Sequence, residues 1–328
     1  MISRKTFDTI YNVCKIKNPN LPFGGIQIVL CGDFYQLPPV VNLKYNDTGE
    51  YCFHCNFFDD VFRHRIVLDQ NMRTKSGEIF LTSTVQSVFE GNCSDEVNAF
   101  LNSLSRPLSS RRSALSTKLF ATNALVDDYN RTAMMKHPGD LFEFFAKDQG
   151  HAKDLERIGA PKMLWMKNGC PVQLIHTLSE KLVNGVTGIV QALTAEKVVV
   201  EFPSVNITRE IPKISFTVFN PKDNRVTAER EQFPLKPAFA LTIHKSQGMT
   251  LENVEIDCCS IFQPGQLGVA ISRVRSVEGL RVVNFHPRYL LKPTKEVTDI
   301  MNGAGFEPQE DLSCCRKTKT LSNIKCHI

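Results

Sequence analysis

The 328-residue sequence has no run of eighteen apolar residues, so no conventional membrane-spanning helix is predicted and a membrane is not an expected partner. Its opening, "MISRKTFDTI", has none of the apolar core of a secretory signal. None of its 18 glycines is followed by lysine, so these residues contain no Gly-Lys-Ser/Thr phosphate loop. No Asp-Glu pair follows an apolar strand either. "VVVEFP" offers Glu201 without an aspartate, and "SDEV" and "VDDYN" have no such strand before them. Neither sign of charge is in large excess: a net +5 permits a polyanionic partner without requiring one. With no secretory signal, the 11 cysteines read as reduced thiols rather than as a disulfide framework. There is no internal repeat.

Apolar residues make up 42% of the chain, enough for one large core or two to three smaller ones. Ser3 can cap a helix over "RKTFDTIYNVCK", with Phe7, Ile10, Tyr11 and Cys14 on one face. Pro19 and Pro22 should end it. "GIQIVLCGDF" is apolar throughout and predicts a strand buried on both faces, as in parallel sheets. "SGEIFLTSTVQSVFEG", with Gly91 as its C-cap, and "SDEVNAFLNSL" predict two helices. "TKLFATN" predicts a strand leading into a helix from about residue 124 to 135, and residues 140–165 are poorly patterned.

After Gly169 the composition changes. "CPVQLIHT", "TGIVQALT", "EKVVVEF" and "REIPKISFTVF" are short β-rich runs between turns, which suggests a small barrel. Near Phe233 the strand–loop–helix pattern returns, with "NVEIDCC" and "GLRVVNF" as strands and a helix over 263–273 that carries Pro264 in its first turn. Beyond residue 293 a loose polar tail is expected. The fold class is α/β with open parallel sheets, whose ligands sit at the carboxyl ends of strands.

Four stretches carry candidate chemistry. In "GDFYQLPPV", Asp33 and Gln36 follow a predicted strand, where a neutral amide suits the orienting of a phosphate or a water, or merely closes a capped turn. In "LDQNMRT", Arg73 can offer a fork of donors to a γ-phosphate, or pair with Asp69 at the surface. In "FALTIHKSQGMTLENVEID", Thr242, His244, Lys245, Ser246, Gln247 and Thr250 gather mixed donors of the kind a nucleic-acid backbone needs, and Gly248 allows close approach. In "GQLGVAISRVRS", Gln266, Ala270 and Arg273 recur at helical spacing. Arg273 is either an arginine finger or a cation favoured at a helix C-terminus.

In order and spacing these stretches resemble a superfamily 1 helicase of the Pif (petite integration frequency) family, close to the RecD-like helicases. The likeness runs to about residue 286. "PFGGIQIVLCGDFYQLPPV" resembles helicase motif III, "LDQNMRT" motif IV, "TIHKSQGMTLENVEID" motif V and "GQLGVAISRVRSVEGLRVVNF" motif VI. "GCPVQLIHTLSEKLVNGVTGIV" resembles the entry to that family's Src-homology-3-like barrel. The resemblance implies two RecA-like domains of the P-loop NTPase type and ATP-driven, 5′-to-3′ unwinding of DNA, in repair, recombination, replication or telomere maintenance. It places Asp33, Gln36, Arg73, Gln266 and Arg273 at the ATP phosphates, with Gln36, Arg73 and Arg273 catalytic. It places the 242–250 loop and Asn123 on single-stranded DNA, with DNA junctions as further partners. ATP and Mg2+ are the implied cofactors, with no metal ligand in this chain, and the nucleus or mitochondrion is the implied location.

The implied division is residues 1–66 as the remainder of a first RecA-like domain, 67–168 and 232–292 as the second, 169–231 as the barrel and 293–328 as a flexible tail. Two features depart from the family. Gly268 stands where an aromatic is usual, and the phosphate loop and Asp-Glu motif are missing. The chain thus reads as the C-terminal part of a helicase, inactive alone, from a truncated gene model, a degenerate copy or a split protein with an N-terminal half as partner. The alternatives are a DNA-binding remnant without motor activity and a different P-loop NTPase. "CFHC" (52–55) and "SCCRK…KCHI" have incomplete zinc spacing and read as structural or incidental. Trp165 reads as core, and Phe34 or Tyr35 as neighbours of DNA.

Overall fold

The structure, a computed structural model, describes residues 1–63, 65–68, 70–108 and 116–303. The N-terminal helix α1 (Arg4–Lys15) starts where the sequence predicts: Ser3 Oγ accepts from the Thr6 amide at 3.2 Å. Phe7 is buried, and Tyr11 and Cys14 pack beside it, whereas Ile10 points to solvent. These side chains join Phe23, Phe57 and the short helix α2 (Phe58–Val61) in an aromatic cluster, with the Tyr11 and Phe57 rings stacked at 3.9 Å. Cys52 and Cys55 lie within the same cluster. Burial pushes the Cys55 thiol up to about 12, so both cysteines act as apolar core. Among the described residues no group of three or more His, Cys, Asp or Glu is arranged to hold a metal.

The strand expected at "GIQIVLCGDF" does not form. Residues 26–33 take no regular secondary structure and join no strand among the described residues, and Val29 is 77% exposed. A strand is stable only when a neighbour completes its hydrogen bonds, and among the described residues no strand lies beside this one.

Four short apolar strands do form a parallel sheet, in the order β12-β1-β13-β14. Its members are β1 (Thr117–Phe120), β12 (Ala240–Thr242), β13 (Val254–Asp257) and β14 (Leu280–Val283). Helices α3 (Ile79–Glu90), α4 (Asp95–Ser103) and α5 (Asn123–Lys136) belong to the same unit. Gly91 ends α3 in the left-handed conformation, and Ser94 and Thr122 cap the other two. Edge strand β12 is closed by Asn130 of α5, whose amide accepts from the Ala240 N–H at 2.8 Å and donates to its carbonyl at 3.1 Å. Across the sheet, Glu255 on β13 bonds Lys118 of β1 at 2.8 Å and Arg281 of β14 at 2.6 Å. Burial alone would raise this carboxyl, but the two cations outweigh it and hold it below the usual range.

Between β1 and β12 the chain makes ten strands. β2 (Phe142–Phe145) pairs with β4 (Met163–Met166), and β10 (Arg225–Gln232) pairs on one side with β3 (Lys147–Gly150) and on the other with β9 (Ile214–Asn220). So the poorly patterned 140–165 region is largely β. The "REIPKISFTVF" run divides at Pro212 into β8 (Ile207–Ile211) and β9, because proline cannot donate to a ladder. The barrel sheet is β11-β5-β6-β7-β8, with β5 (Pro171–Leu174), β6 (Thr187–Leu193), β7 (Val198–Phe202) and β11 (Leu235–Pro237). A bulge between Val190 and Ala192 bends β6. The sheet closes around Val172, Leu174, Val200, Phe202 and Phe233 and stays open between β8 and β11.

Short helices α6 (Ala152–Leu155), α7 (Ile243–Ser246) and α8 (Gln266–Ile271) complete the core units. The tail expected beyond 293 is in part a helix. α9 (Lys295–Asn302) buries Val297 and pairs Glu296 with His54 at 2.8 Å. Residues 304–328, including "SCCRK…KCHI", lie outside the described residues. No helix among the described residues is long and apolar enough to cross a membrane.

The Glu255 bridge yields a pH test. Glu255→Gln should cost about 2 kcal/mol at neutral pH, because Lys118 and Arg281 lose their carboxylate. A depressed carboxyl stabilises above its unfolded value and stops doing so as pH falls through its folded value. The melting curves of wild type and variant should therefore converge in acid; parallel curves down to about pH 3 would refute the assignment.

Candidate functional site

Because β1 and β12 are parallel neighbours, with Phe120 opposite Thr242, their carboxyl ends open side by side. The chain leaving β1 begins α5 at Asn123, and the chain leaving β12 becomes α7 and the 242–250 loop. Asn123 Oδ1 accepts from Lys245 Nζ at 3.1 Å, joining the two ends. Both side chains are exposed, His244 is half-buried beside them, and burial lowers the His244 imidazole below its ordinary value, leaving it neutral near pH 7.

Two of the predicted DNA contacts face inward instead. Thr242 is buried and its hydroxyl caps α7, accepting from the Lys245 amide at 3.3 Å. Ser246 is fully buried and donates to the Ile243 carbonyl at 2.8 Å. Their hydroxyls fold the loop and do not face solvent. Thr250 is exposed, and its hydroxyl accepts from Arg73 Nε at 3.2 Å.

The opposite side of this loop meets the residues predicted for phosphate. Asp33 accepts from the Tyr35 amide at 3.0 Å and from Gln36 Nε2 at 3.2 Å, so it orients Gln36. Gln36 Oε1 in turn accepts from Gln247 Nε2 at 2.9 Å. Arg73 also donates to the Ser272 carbonyl at 3.1 Å, and burial lowers its pKa. Its own loop is set by Asn71, whose Oδ1 accepts from the amides of Arg73 and Thr74 at 3.0 and 3.2 Å. Asp69, the surface partner considered for Arg73, lies outside the described residues.

Arg273 is only 2% exposed. It donates to the carbonyl of Val269 at 2.8 Å, to those of Ser246 and Met249 at 3.4 Å each, and to Ser272 Oγ at 2.7 Å. Burial first, and the nearby Arg73 charge second, push it down to about 10. It stays protonated at neutral pH but does not project as a finger. Gln266 is likewise fully buried, its Oε1 accepting from the amides of Phe262 and Gln263 at 3.0 and 3.2 Å. Its Oε1 folds the approach to α8, while its Nε2 is buried without a hydrogen-bond partner among the described residues.

Two residues shape this junction without having been singled out from sequence. Gly265 has φ +78°, and a Cβ there would lie 2.3 Å from the Gln36 carbonyl oxygen, so only glycine lets the Gln36 loop seat on α8. "QPGQ" carries that signal. Phe89 of α3 packs onto Gly268, where a Cβ would lie 2.5 Å from the ring. A ring contributed by α3 thus fills the space beside the position where the family has an aromatic, and no local sequence pattern marks this tertiary contact. Phe34 packs edge-on against Phe53 at 4.9 Å, and Tyr35 packs against the sheet core. Trp165 packs on the barrel core.

As arranged, these side chains do not fit a nucleotide and its magnesium ion. The donors of Arg273 are engaged with protein groups, both Asp33 oxygens accept from neighbours, and no metal-holding cluster occurs among the described residues.

Comparison with known proteins places this geometry. Residues 1–96 match the family model for PIF1-like helicase. ATP-dependent DNA helicase PIF1 of Homo sapiens is 34% identical over 297 residues, covering 88% of this chain and 45% of that protein. PIF1 of Emericella nidulans is 30% identical over 355 residues, covering 90% and 47%. The chain therefore spans about half the length of these curated relatives. The crystal structure of Pif1 helicase from Candida albicans superposes with a TM-score of 0.83 at 30% identity, covering 92% of this chain and 74% of that one. Bacteroides Pif1 in complex with ADP-AlF3 and ssDNA superposes with a TM-score of 0.76 at 25% identity, covering 92% and 72%. With an α/β fold of the RecA-like type throughout these neighbours, the chain belongs to the PIF1-like helicase family.

Proposed function

We propose that this chain is the DNA-gripping and coupling portion of an ATP-dependent, 5′-to-3′ DNA helicase. The observation that carries the reading is the 242–250 loop. One side of it bonds Gln36, Arg73 and Arg273, and the other presents His244 and Lys245 beside Asn123. A loop held in this way transmits a change at a phosphate to a DNA strand, because Gln36 cannot move without releasing Gln247. Its ligands are single-stranded DNA and, in the complete motor, ATP with Mg2+ and DNA junctions; its setting is the nucleus or the mitochondrion. Residues 1–66 are the remainder of a first RecA-like domain, 67–168 and 238–292 the second, and the barrel extends from 169 through β11 to Pro237.

Phosphoryl transfer needs cradled β- and γ-phosphates, a held metal ion and donors for the transition-state charge. Residues 1–328 supply no Gly-Lys-Ser/Thr cradle. Gln36, Arg73 and Arg273 would contribute water orientation and charge compensation only after leaving their present partners. The engagement of Arg273 also favours a second reading, a DNA-binding protein without motor activity of its own. An N-terminal half bearing the phosphate loop would convert the second reading into the first.

DNA-stimulated ATP hydrolysis by residues 1–328 separates these readings. Without a cradle and metal ligands the rate should fall by roughly a thousandfold or more against a complete helicase. Turnover at ordinary helicase rates, abolished by Arg273→Ala, would show that these residues hold a working ATP site. For the DNA side, the double change His244→Ala and Lys245→Ala should weaken single-stranded DNA binding about tenfold at low salt, and equally for all base sequences. Unchanged affinity would remove the 242–250 loop from the interface.

A further inference from the structure

We propose that α9 is a strap from the parallel-sheet unit to the α1 cluster, and that Glu296 and His54 are positioning residues that hold Gln36 against Gln247. The strap deepens the coupling reading above and rests on it only for what the Gln36–Gln247 bond transmits.

The strap is rooted on the parallel sheet. After β14, Tyr289, Leu290 and Leu291 pack on the sheet's core. The chain then passes over the end of α3, where a Cβ on Gly91 would lie 2.7 Å from the Lys292 Cα. α9 begins at Lys295, and its contact is with the α1 cluster: Glu296 Oε2 lies 2.8 Å from His54 Nε2. Val297, the next residue, is 1% exposed, so the helix is seated as well as tethered.

The far end of the strap has a firm base that leads to Gln36. His54 closes the turn Cys52–His54, and Cys52 and Cys55 are buried in the aromatic cluster around α1. Phe53 of this turn stacks on Tyr51 at 5.0 Å and meets Phe34 edge-on at 4.9 Å. Phe34 sits beside Asp33, which accepts from Gln36 Nε2 at 3.2 Å, and Gln36 Oε1 accepts from Gln247 Nε2 at 2.9 Å. Contacts thus run without a break from α9, through the 52–54 turn and Phe34, to the Gln36–Gln247 bond.

Two attachments therefore act on the α1 cluster: the Gln36 loop seated on α8, and α9. A body attached at one point can pivot about it, and a second attachment elsewhere on its surface removes that freedom. A solvent-accessible pair such as His54–Glu296 holds weakly by itself, because water competes for both partners. Burial of Val297 supplies the second hold. With α9 released, the α1 cluster pivots on the Gln36 loop, and the bond between two flexible amides opens more often.

Hydrogen exchange on the 328-residue chain tests the strap. The Gln36 amide donates to the Asp33 carbonyl and the Gln247 amide to the His244 carbonyl, at 3.2 Å each, and neither belongs to α9. Peptides covering 33–37 and 243–249 should exchange several-fold faster in Glu296→Ala and about tenfold faster in Val297→Asp, while those covering β13 and β14 keep wild-type rates. His54→Gln keeps a donor for the Glu296 carboxyl group and should exchange as wild type does.

Wild-type exchange at 33–37 in both Glu296→Ala and Val297→Asp would overturn the strap. Equal acceleration of the β13 and β14 peptides would also overturn it, since α9 would then contribute only to overall stability. Faster exchange at 33–37 with 243–249 unchanged would overturn the hold on Gln247. Acceleration in His54→Gln equal to that in Glu296→Ala would overturn the part given to the His54–Glu296 contact. None of these outcomes involves DNA or ATP, so failure of the strap and failure of the helicase reading are separate results.

Discussion

The candidate site depends on burying one guanidinium. Arg273 leaves the end of α8 and turns inward to the carbonyls of Ser246 and Met249, which belong to the loop after β12. Desolvating a cation is costly unless its donors are engaged, and here carbonyl and hydroxyl oxygens surround it. In return, a loop with few apolar side chains gains a fixed shape. Thr242 caps its helical turn, Ser246 closes it, and Arg73 ties its far end through Thr250. The loop can then present His244 and Lys245 outward, because the residues between and around them are anchored inward.

The same construction explains how the predicted phosphate and DNA residues come to share a segment. The Gln36 loop rests on the start of α8, where Gly265 leaves room for its carbonyls, and Gln36 reaches Gln247. Asp33 orients that amide, and Phe89 supports α8 from behind through Gly268. A displacement of the Gln36 loop would load the 242–250 loop directly. Such short, directly bonded connections are what the proposed coupling between a phosphate and a DNA strand requires.

Much of the framework was legible in the sequence because it depends on local chemistry. Ser3 and Gly91 act where their residue types predict, and the parallel strands lie at the apolar runs around Leu119, Leu241, Ile256 and Val282. What was not legible depends on partners distant in the chain. The run 26–33 is as apolar as a central strand, yet it pairs with nothing among the described residues, and burial cannot be read from composition without a neighbour. Thr242 and Ser246 look like DNA ligands as hydroxyls in a donor-rich loop, but capping and back-bonding claim short hydroxyl side chains first. Arg273 has the position of a finger, and only the fold shows that its donors are turned to Ser246 and Met249.

Replacing Arg273 by methionine, which keeps much of the length and removes the charge, tests most directly whether the buried guanidinium organises the site. Denaturant unfolding and amide hydrogen exchange should be read on the same samples. The account predicts a loss of about 3 kcal/mol of stability, because the loop carbonyls lose a charged donor. It also predicts that amides of the 242–250 loop exchange much faster while those of the parallel sheet keep their protection. A variant as stable as wild type, with the loop equally protected, would contradict the account and return Arg273 to the role of a free-standing finger.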